Sequence, residues 1–99
     1  MAYKDKIVKI KGDKKGDIFL FTLSTCGWCA MTKQFFREQK LEYSYVDVDL
    51  LSNNDQAEVD KELKRYKTDS SFPKIIINNA IISGFDERVV RKELNKWKK

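Results

Sequence analysis

A short apolar run leads into a Cys-x-x-Cys, and a helix-forming stretch follows at once; few folds accommodate that order. Asp17-Ile18-Phe19-Leu20-Phe21-Thr22-Leu23 is rich in β-formers and nearly continuous in apolar residues, as a strand buried on both faces should be. Thr25-Cys26-Gly27-Trp28-Cys29 comes next, and Met31 to Lys40 holds helix formers with an apolar face. The two cysteines therefore sit where a buried strand hands over to a helix. A helix N-terminus carries unpaired backbone N–H groups and about half a positive charge, and a thiolate placed there is stabilised. Cys26 is expected to cap the helix and act as a nucleophile. Cys29, one turn in, is expected to lie beneath it and act as the resolving thiol.

The bounds on the rest are simple. Ninety-nine residues make one domain, with 1–16 as a basic N-terminal extension. Six Phe and two Trp within 41% apolar residues are enough for a core despite 35% charged residues, so the chain is globular. The net charge of +5 comes largely from the ends: six lysines against Asp5 and Asp13 leave +4 in the first fifteen residues, and Lys96, Lys98 and Lys99 form a basic tail. That distribution reads as solvated termini rather than a nucleic-acid surface, with a steering patch for an acidic partner as the alternative. Met1 to Gly16 lacks the apolar core of a signal peptide, and no run approaches the ~18 apolar residues of a membrane span. The expected location is the cytoplasm, where a lone cysteine pair is more often catalytic than structural.

Along the chain, Ile7-Val8-Lys9-Ile10 is an optional extra edge strand, and Gly12 to Gly16 a turn. The first helix is expected to run from Gly27 or Trp28 to Gln39, with Met31, Phe35 and Phe36 as its core face. Tyr43 to Asp49 alternates as a second strand, with Tyr43, Tyr45, Asp47 and Asp49 on one side and Val46 and Val48 on the other. A helix over 54–67 buries Val59, Leu63 and Tyr66. Lys74-Ile75-Ile76-Ile77 and Ala80-Ile81-Ile82 form a hairpin about Asn78-Asn79. Asp86 caps a last helix with Val90, Leu94 and Trp97 on its face. The order β-α-β-α-β-β-α requires both a parallel crossover and an antiparallel hairpin, hence an α/β fold with a four-stranded mixed sheet and helices on both faces.

With the lone proline, Pro73, just before the third strand, this pattern resembles the thioredoxin fold, and its glutaredoxin branch in particular. The likeness covers roughly Asp17 to Trp97. Phe72-Pro73-Lys74 through Asn79, and Ser83-Gly84-Phe85-Asp86-Glu87, align without gaps on the glutaredoxin proline, hairpin and Gly-Gly-x-Asp-Asp region. The resemblance implies a cis bond before Pro73, with the backbone of Phe72 turned toward Cys26 to pair with an extended substrate. It assigns Asp86 to the γ-glutamyl end of glutathione. It also implies substrate binding at Ser71, Phe72, Pro73, Gly84 and Asp86; from the residues themselves, Trp28 reads as an exposed, substrate-contacting flank of this rim or else a surface aromatic packed on the sheet edge, and Phe85 as a partner contact or else only a helix staple. Two departures and one further likeness stand out. Leu23 occupies the place where glutaredoxins usually carry a Lys or Arg that pairs with a glutathione carboxylate. Ser71-Phe72 replaces the usual Thr-Val, and Ser83-Gly84-Phe85 resembles the loop of NrdH-type redoxins, which are reduced by flavoproteins.

The chemistry implied is reduction of protein or glutathione mixed disulfides by dithiol exchange through Cys26 and Cys29, Cys26 alone sufficing for the glutathione-mixed ones, with a redox-active disulfide and no tightly bound cofactor, glutathione being the optional small partner. The partners are a disulfide-containing protein and an electron donor, either glutathione or a flavoprotein or ferredoxin-linked reductase; the chain itself is taken as a monomer. Gly27 in place of the common proline frees an N–H that is in reach of the Cys26 sulfur; the alternative is that it only tolerates the turn. No side-chain base is evident, and Lys33 and Arg37 are expected to contribute positive potential at most. Structural zinc needs four ligands, which two cysteines and no histidine do not supply in one chain. The main rival reading is a [2Fe–2S] cluster bridging two copies, with Cys26 as a ligand. A structural scaffold with an inert disulfide is a third.

Overall fold

The computed structural model describes residues 3–66 and 71–96. A central strand, β2 (Ile18–Thr22), leads into α1 (Gly27–Glu38), and β3 (Tyr43–Asp47) returns parallel to it. Helix α2 (Asn53–Lys64) then crosses to β4 (Lys74–Ile77), which lies antiparallel on the other side of β2. A two-residue turn at Asn78-Asn79 gives β5 (Ala80–Ser83), and α3 (Glu87–Asn95) closes the described chain. The optional N-terminal strand is present: β1 (Val8–Ile10) pairs antiparallel with β3, so the sheet has five strands, in the order β1-β3-β2-β4-β5. Expectations that fall on Lys67, Thr68 and Trp97 lie outside the described residues.

The sheet is dressed on both faces because its strands are apolar on both. Ile18, Leu20, Tyr43, Ile75 and Ile77 face Phe35 and Phe36 of α1 and Val90 of α3. Phe21, Val46 and Ile76 face Val59 of α2, together with Val48 and Leu51. Hydrogen bonds in both directions tie Asn78 to Asp17, joining the hairpin tip to the start of β2: the Asn78 N–H donates to the Asp17 carbonyl (2.7 Å) and Asn78 Oδ1 accepts from the Asp17 N–H (3.1 Å).

Three expectations need correction. Met31 is 49% exposed; the buried stripe of α1 is Cys29, Thr32, Phe35 and Phe36. Apolarity alone suits Met31 to that stripe, but Cys29 must lie against the end of β2, which rotates the helix and turns Trp28 and Met31 outward. Strand β3 ends at Asp47, and Val48–Leu50 is a single 3-10 turn that redirects Asp49 toward the loop before Cys26. The basic N-terminal stretch is not only solvated. Tyr3 is buried edge-on against Phe21 (6.3 Å between ring centroids), and Ile7 packs on the same cluster. Lys74, placed in a strand from its neighbours, is fully buried between Phe21 and Ser83, with its Nζ donating to Ser83 Oγ (2.9 Å).

Residues Gly12 and Asp13 also fasten this stretch by backbone. The Asp13 N–H donates to the Lys40 carbonyl (2.8 Å), and the Glu42 N–H donates to the Asp13 carbonyl (2.9 Å). The approach is close enough that a Cβ on Gly12 would meet the Leu41 carbonyl carbon at 2.6 Å. The N-terminal stretch is thus part of the core's cover. Tyr3→Ala is expected to lower the free energy of unfolding by about 3 kcal/mol, the scale of a large buried aromatic truncated to Ala. Urea unfolding measures this; an unchanged midpoint would mean that the ring contributes nothing.

Candidate active site

The loop after β2 turns sharply at Leu23-Ser24-Thr25, and Cys26 follows as the N-cap of α1. Its backbone is extended (φ −90°, ψ 121°), and its carbonyl accepts the first intrahelical bond from Ala30 (3.0 Å). A cap side chain faces the N–H groups two and three residues on. Accordingly, it is the Cys29 N–H that donates to Cys26 Sγ (3.2 Å). Of the two readings of Gly27, a donor to the Cys26 sulfur or a residue that only tolerates the turn, the structure favours the second: Gly27 is the first helical residue, and the Cys26 sulfur accepts from the Cys29 N–H. A Cβ on Gly27 would meet nothing within 4 Å, so the glycine is not required by space.

The two cysteines, both free thiols, occupy opposite environments. Cys26 is partly exposed; Cys29 is fully buried and accepts from the Leu23 N–H (3.4 Å). Burial, first, and a hydrogen bond to Cys26, second, push the Cys29 thiol up to about 12. The Leu23 N–H and the Lys33 ammonium act in the opposite direction. One sulfur is accessible at a helix N-terminus and the other is held protonated beneath it.

Two acidic groups reach the site from β3 and the turn after it. Asp49 accepts from the Ser24 N–H (2.8 Å) and the Ser24 hydroxyl (2.5 Å), which fixes the loop two residues before Cys26. Those bonds, the hydroxyl's first, hold the Asp49 carboxyl below its usual range. Asp47 accepts from Lys33 Nζ (3.0 Å) and from the Thr22 hydroxyl (2.6 Å). The Lys33 ammonium also lies 4.0 Å from the centroid of the Tyr45 ring. These partners were not assigned from sequence. The signals that could have found them are the Asp-Val-Asp at the end of the alternating strand and Lys33 four residues after Cys29.

The expected rim is brought together in part. Trp28 is 60% exposed beside Cys26, and its carbonyl accepts from the Thr32 hydroxyl (2.7 Å). The Phe72–Pro73 peptide bond is cis. Gly84, at φ +78°, donates its N–H to the Pro73 carbonyl (2.8 Å), which joins the loop before β4 to the loop after β5. Phe85 packs on Phe35 of α1 (5.6 Å). Asp86 Oδ1 caps α3 by accepting from the N–H groups of Arg88 and Val89 (3.0 and 3.4 Å). Ser71 is exposed and Phe72 half-buried against the α2-side cluster.

The raised Cys29 thiol has a consequence for stability. A group whose folded pKa lies above its unfolded value favours the fold below the unfolded value, and that contribution is lost as pH rises toward the folded one. Here the window runs from about 9.0 to about 12. The reduced protein is expected to lose stability across the lower part of this window more steeply than Cys29→Ser. Urea midpoints from pH 8 to 11 measure the difference, and parallel curves would mean that Cys29 titrates normally.

Known proteins resemble this chain in sequence and fold. The glutaredoxin family model matches residues 18–82. A glutaredoxin from Methanosarcina mazei superposes with a TM-score of 0.80 at 34% identity, over 91% of this chain and 88% of that one. Methanoredoxin from Methanosarcina acetivorans superposes with a TM-score of 0.78 at 36% identity, over 84% of this chain and 88% of that one. Mitochondrial glutaredoxin-2 from Pongo abelii is 28% identical over 67 residues; that stretch is 68% of this chain and 40% of the relative, so the chain spans about two fifths of that protein's length. Among the described residues no helix is long and apolar enough to cross a membrane. The chain belongs to the glutaredoxin family, a class of thiol–disulfide oxidoreductases.

Proposed function

We propose that this chain reduces disulfides of protein substrates by dithiol exchange, with Cys26 as nucleophile and Cys29 as resolving thiol. The observation that carries the reading is the contrast between an accessible Cys26 at the N-cap of α1 and a fully buried Cys29 whose N–H points at the Cys26 sulfur. The Cys26 thiolate attacks one sulfur of the substrate disulfide, and the other leaves with the electron pair and takes a proton. Cys29 then attacks Cys26, the mixed disulfide breaks, and the second substrate sulfur leaves reduced. The protein holds the two electrons' worth of oxidation as a Cys26–Cys29 disulfide until a donor returns them. Trp28, Ser71, Phe72, Pro73, Gly84, Phe85 and Asp86 form the rim that holds the substrate, and the chain works as a monomer in the cytoplasm.

The donor that fits best is a protein reductase rather than glutathione. Leu23 offers no charge to a glutathione carboxylate, and the neighbouring Ser24 is bonded to the Asp49 carboxylate, which repels one. Asp86 already uses an oxygen to cap α3.

Two assays on the oxidised protein test this, one with glutathione, glutathione reductase and NADPH, the other with a thioredoxin-type reductase and its reductant. Reduction by the second alone is expected, followed by mass spectrometry. Cys26→Ser should abolish turnover, and Cys29→Ser should accumulate mixed disulfide. Equal rates with glutathione would overturn the choice of donor. A brown dimer purified under nitrogen, with colour lost in Cys26→Ser, would point instead to a cluster bridged through Cys26.

A further inference from the structure

We infer that Lys33 is a positioning residue for the second chemical step: its ammonium, held by Asp47 and the Tyr45 ring, supports the charge that forms on the Cys29 sulfur as it attacks Cys26. The inference rests on the dithiol reading above. Lys33 follows Cys29 by one helical turn, which places the two on the same face of α1. Its side chain is only 16% exposed and that of Asp47 17%. Withdrawing both charges from water costs more than a pair in that position returns as stability, and a lysine at the helix surface could keep its ammonium in solvent. This one is instead anchored at two points, Asp47 Oδ1 at 3.0 Å and the Tyr45 ring at 4.0 Å, and the carboxylate oxygen that holds it also accepts from the Thr22 hydroxyl.

Among the described residues, the charged and titratable groups about Cys29 are Cys26 and Lys33 on α1, Asp47 at the end of β3, and Asp49 on the turn after it. Before substrate is captured, the neighbouring Cys26 sulfur, which accepts from the Cys29 N–H, disfavours ionisation of the Cys29 thiol. Once Cys26 is bonded to substrate, that partner no longer carries charge. The Leu23 N–H and Lys33 then remain as the groups that favour the thiolate. Cys29 gives its proton to solvent, and its electron pair forms the bond to Cys26. The bond from Cys26 to the substrate sulfur breaks, and that sulfur leaves with the pair and takes up a proton. The thiol is kept protonated while it would compete with Cys26, and it is helped to ionise when it is needed.

The test is stopped-flow reaction of the reduced protein with dithiobis-nitrobenzoate, whose released thiolate is coloured. The first release reports attack by Cys26, and the second reports resolution by Cys29. Lys33→Gln is expected to slow the second phase on the order of tenfold relative to the first, the effect of one pKa unit on a thiolate fraction, and to move its pH midpoint upward. Lys33→Arg should restore most of the rate. Asp47→Asn, which removes the counter-charge, should move the midpoint downward. Equal slowing of both phases in Lys33→Gln, or an unmoved midpoint, would overturn the role of Lys33. If Lys33→Gln does not fold, the Asp47→Asn midpoint decides, and a value unchanged or raised counts against it. A single release from the wild type, identical to Cys29→Ser, would sink the dithiol reading itself and this inference with it.

Discussion

Strand β2 has no solvent face, and the rest of the protein is laid down to cover it. Leu20 and Phe21, adjacent in sequence, point into opposite clusters, one closed by α1 and α3 and the other by α2 and Tyr3. Each residue along such a strand buries apolar surface at roughly 25 cal/mol per Å², so the strand has to sit at the centre of the sheet. Its parallel pairing with β3 and antiparallel pairing with β4 satisfy both backbone edges. The chain leaves this strand at one end only, and the reactive loop is placed there. The backbone N–H of Leu23, one residue beyond the strand, is the donor that meets the buried Cys29 sulfur.

The site's electrostatics follow from the same geometry. A parallel β2–β3 pair brings the ends of both strands to one side of the sheet, so Asp47 and the turn bearing Asp49 arrive beside the loop that carries the cysteines. Each carboxylate is tied to a different part of that loop's surroundings: Asp49 to Ser24, two residues before Cys26, and Asp47 to Thr22 and to Lys33, one helical turn after Cys29. Exposure of one sulfur and burial of the other give two chemically identical thiols different environments only three residues apart.

The reactive motif and most elements were legible because they depend on short-range rules. Cap chemistry placed Cys26 and Asp86, and turn chemistry placed the Asn78-Asn79 hairpin. The phase of α1 was not legible. Met31 and Thr32 compete for one position, and apolarity favours Met31; the helix instead buries Thr32, whose hydroxyl is satisfied by the Trp28 carbonyl, so that Cys29 can reach the strand end. Tyr3 reads as part of a charged, solvated arm, yet it fills a gap over Phe21 that exists only once α2 is in place.

What the sequence by itself determined was therefore the strand–Cys-x-x-Cys–helix unit, the order of elements, and the placing of Cys26 at the helix N-cap with Cys29 buried beneath it. All of these rest on interactions among residues a few positions apart. What only the tertiary structure decided was which charges attend them. Lys33 and Asp47 are fourteen residues apart, and Ser24 and Asp49 twenty-five. Coulomb attraction and hydrogen bonding act over a few ångströms, so which groups meet depends on how β3 is registered against β2 and on the 3-10 turn that follows it. Neither is written in the local pattern of polar and apolar residues.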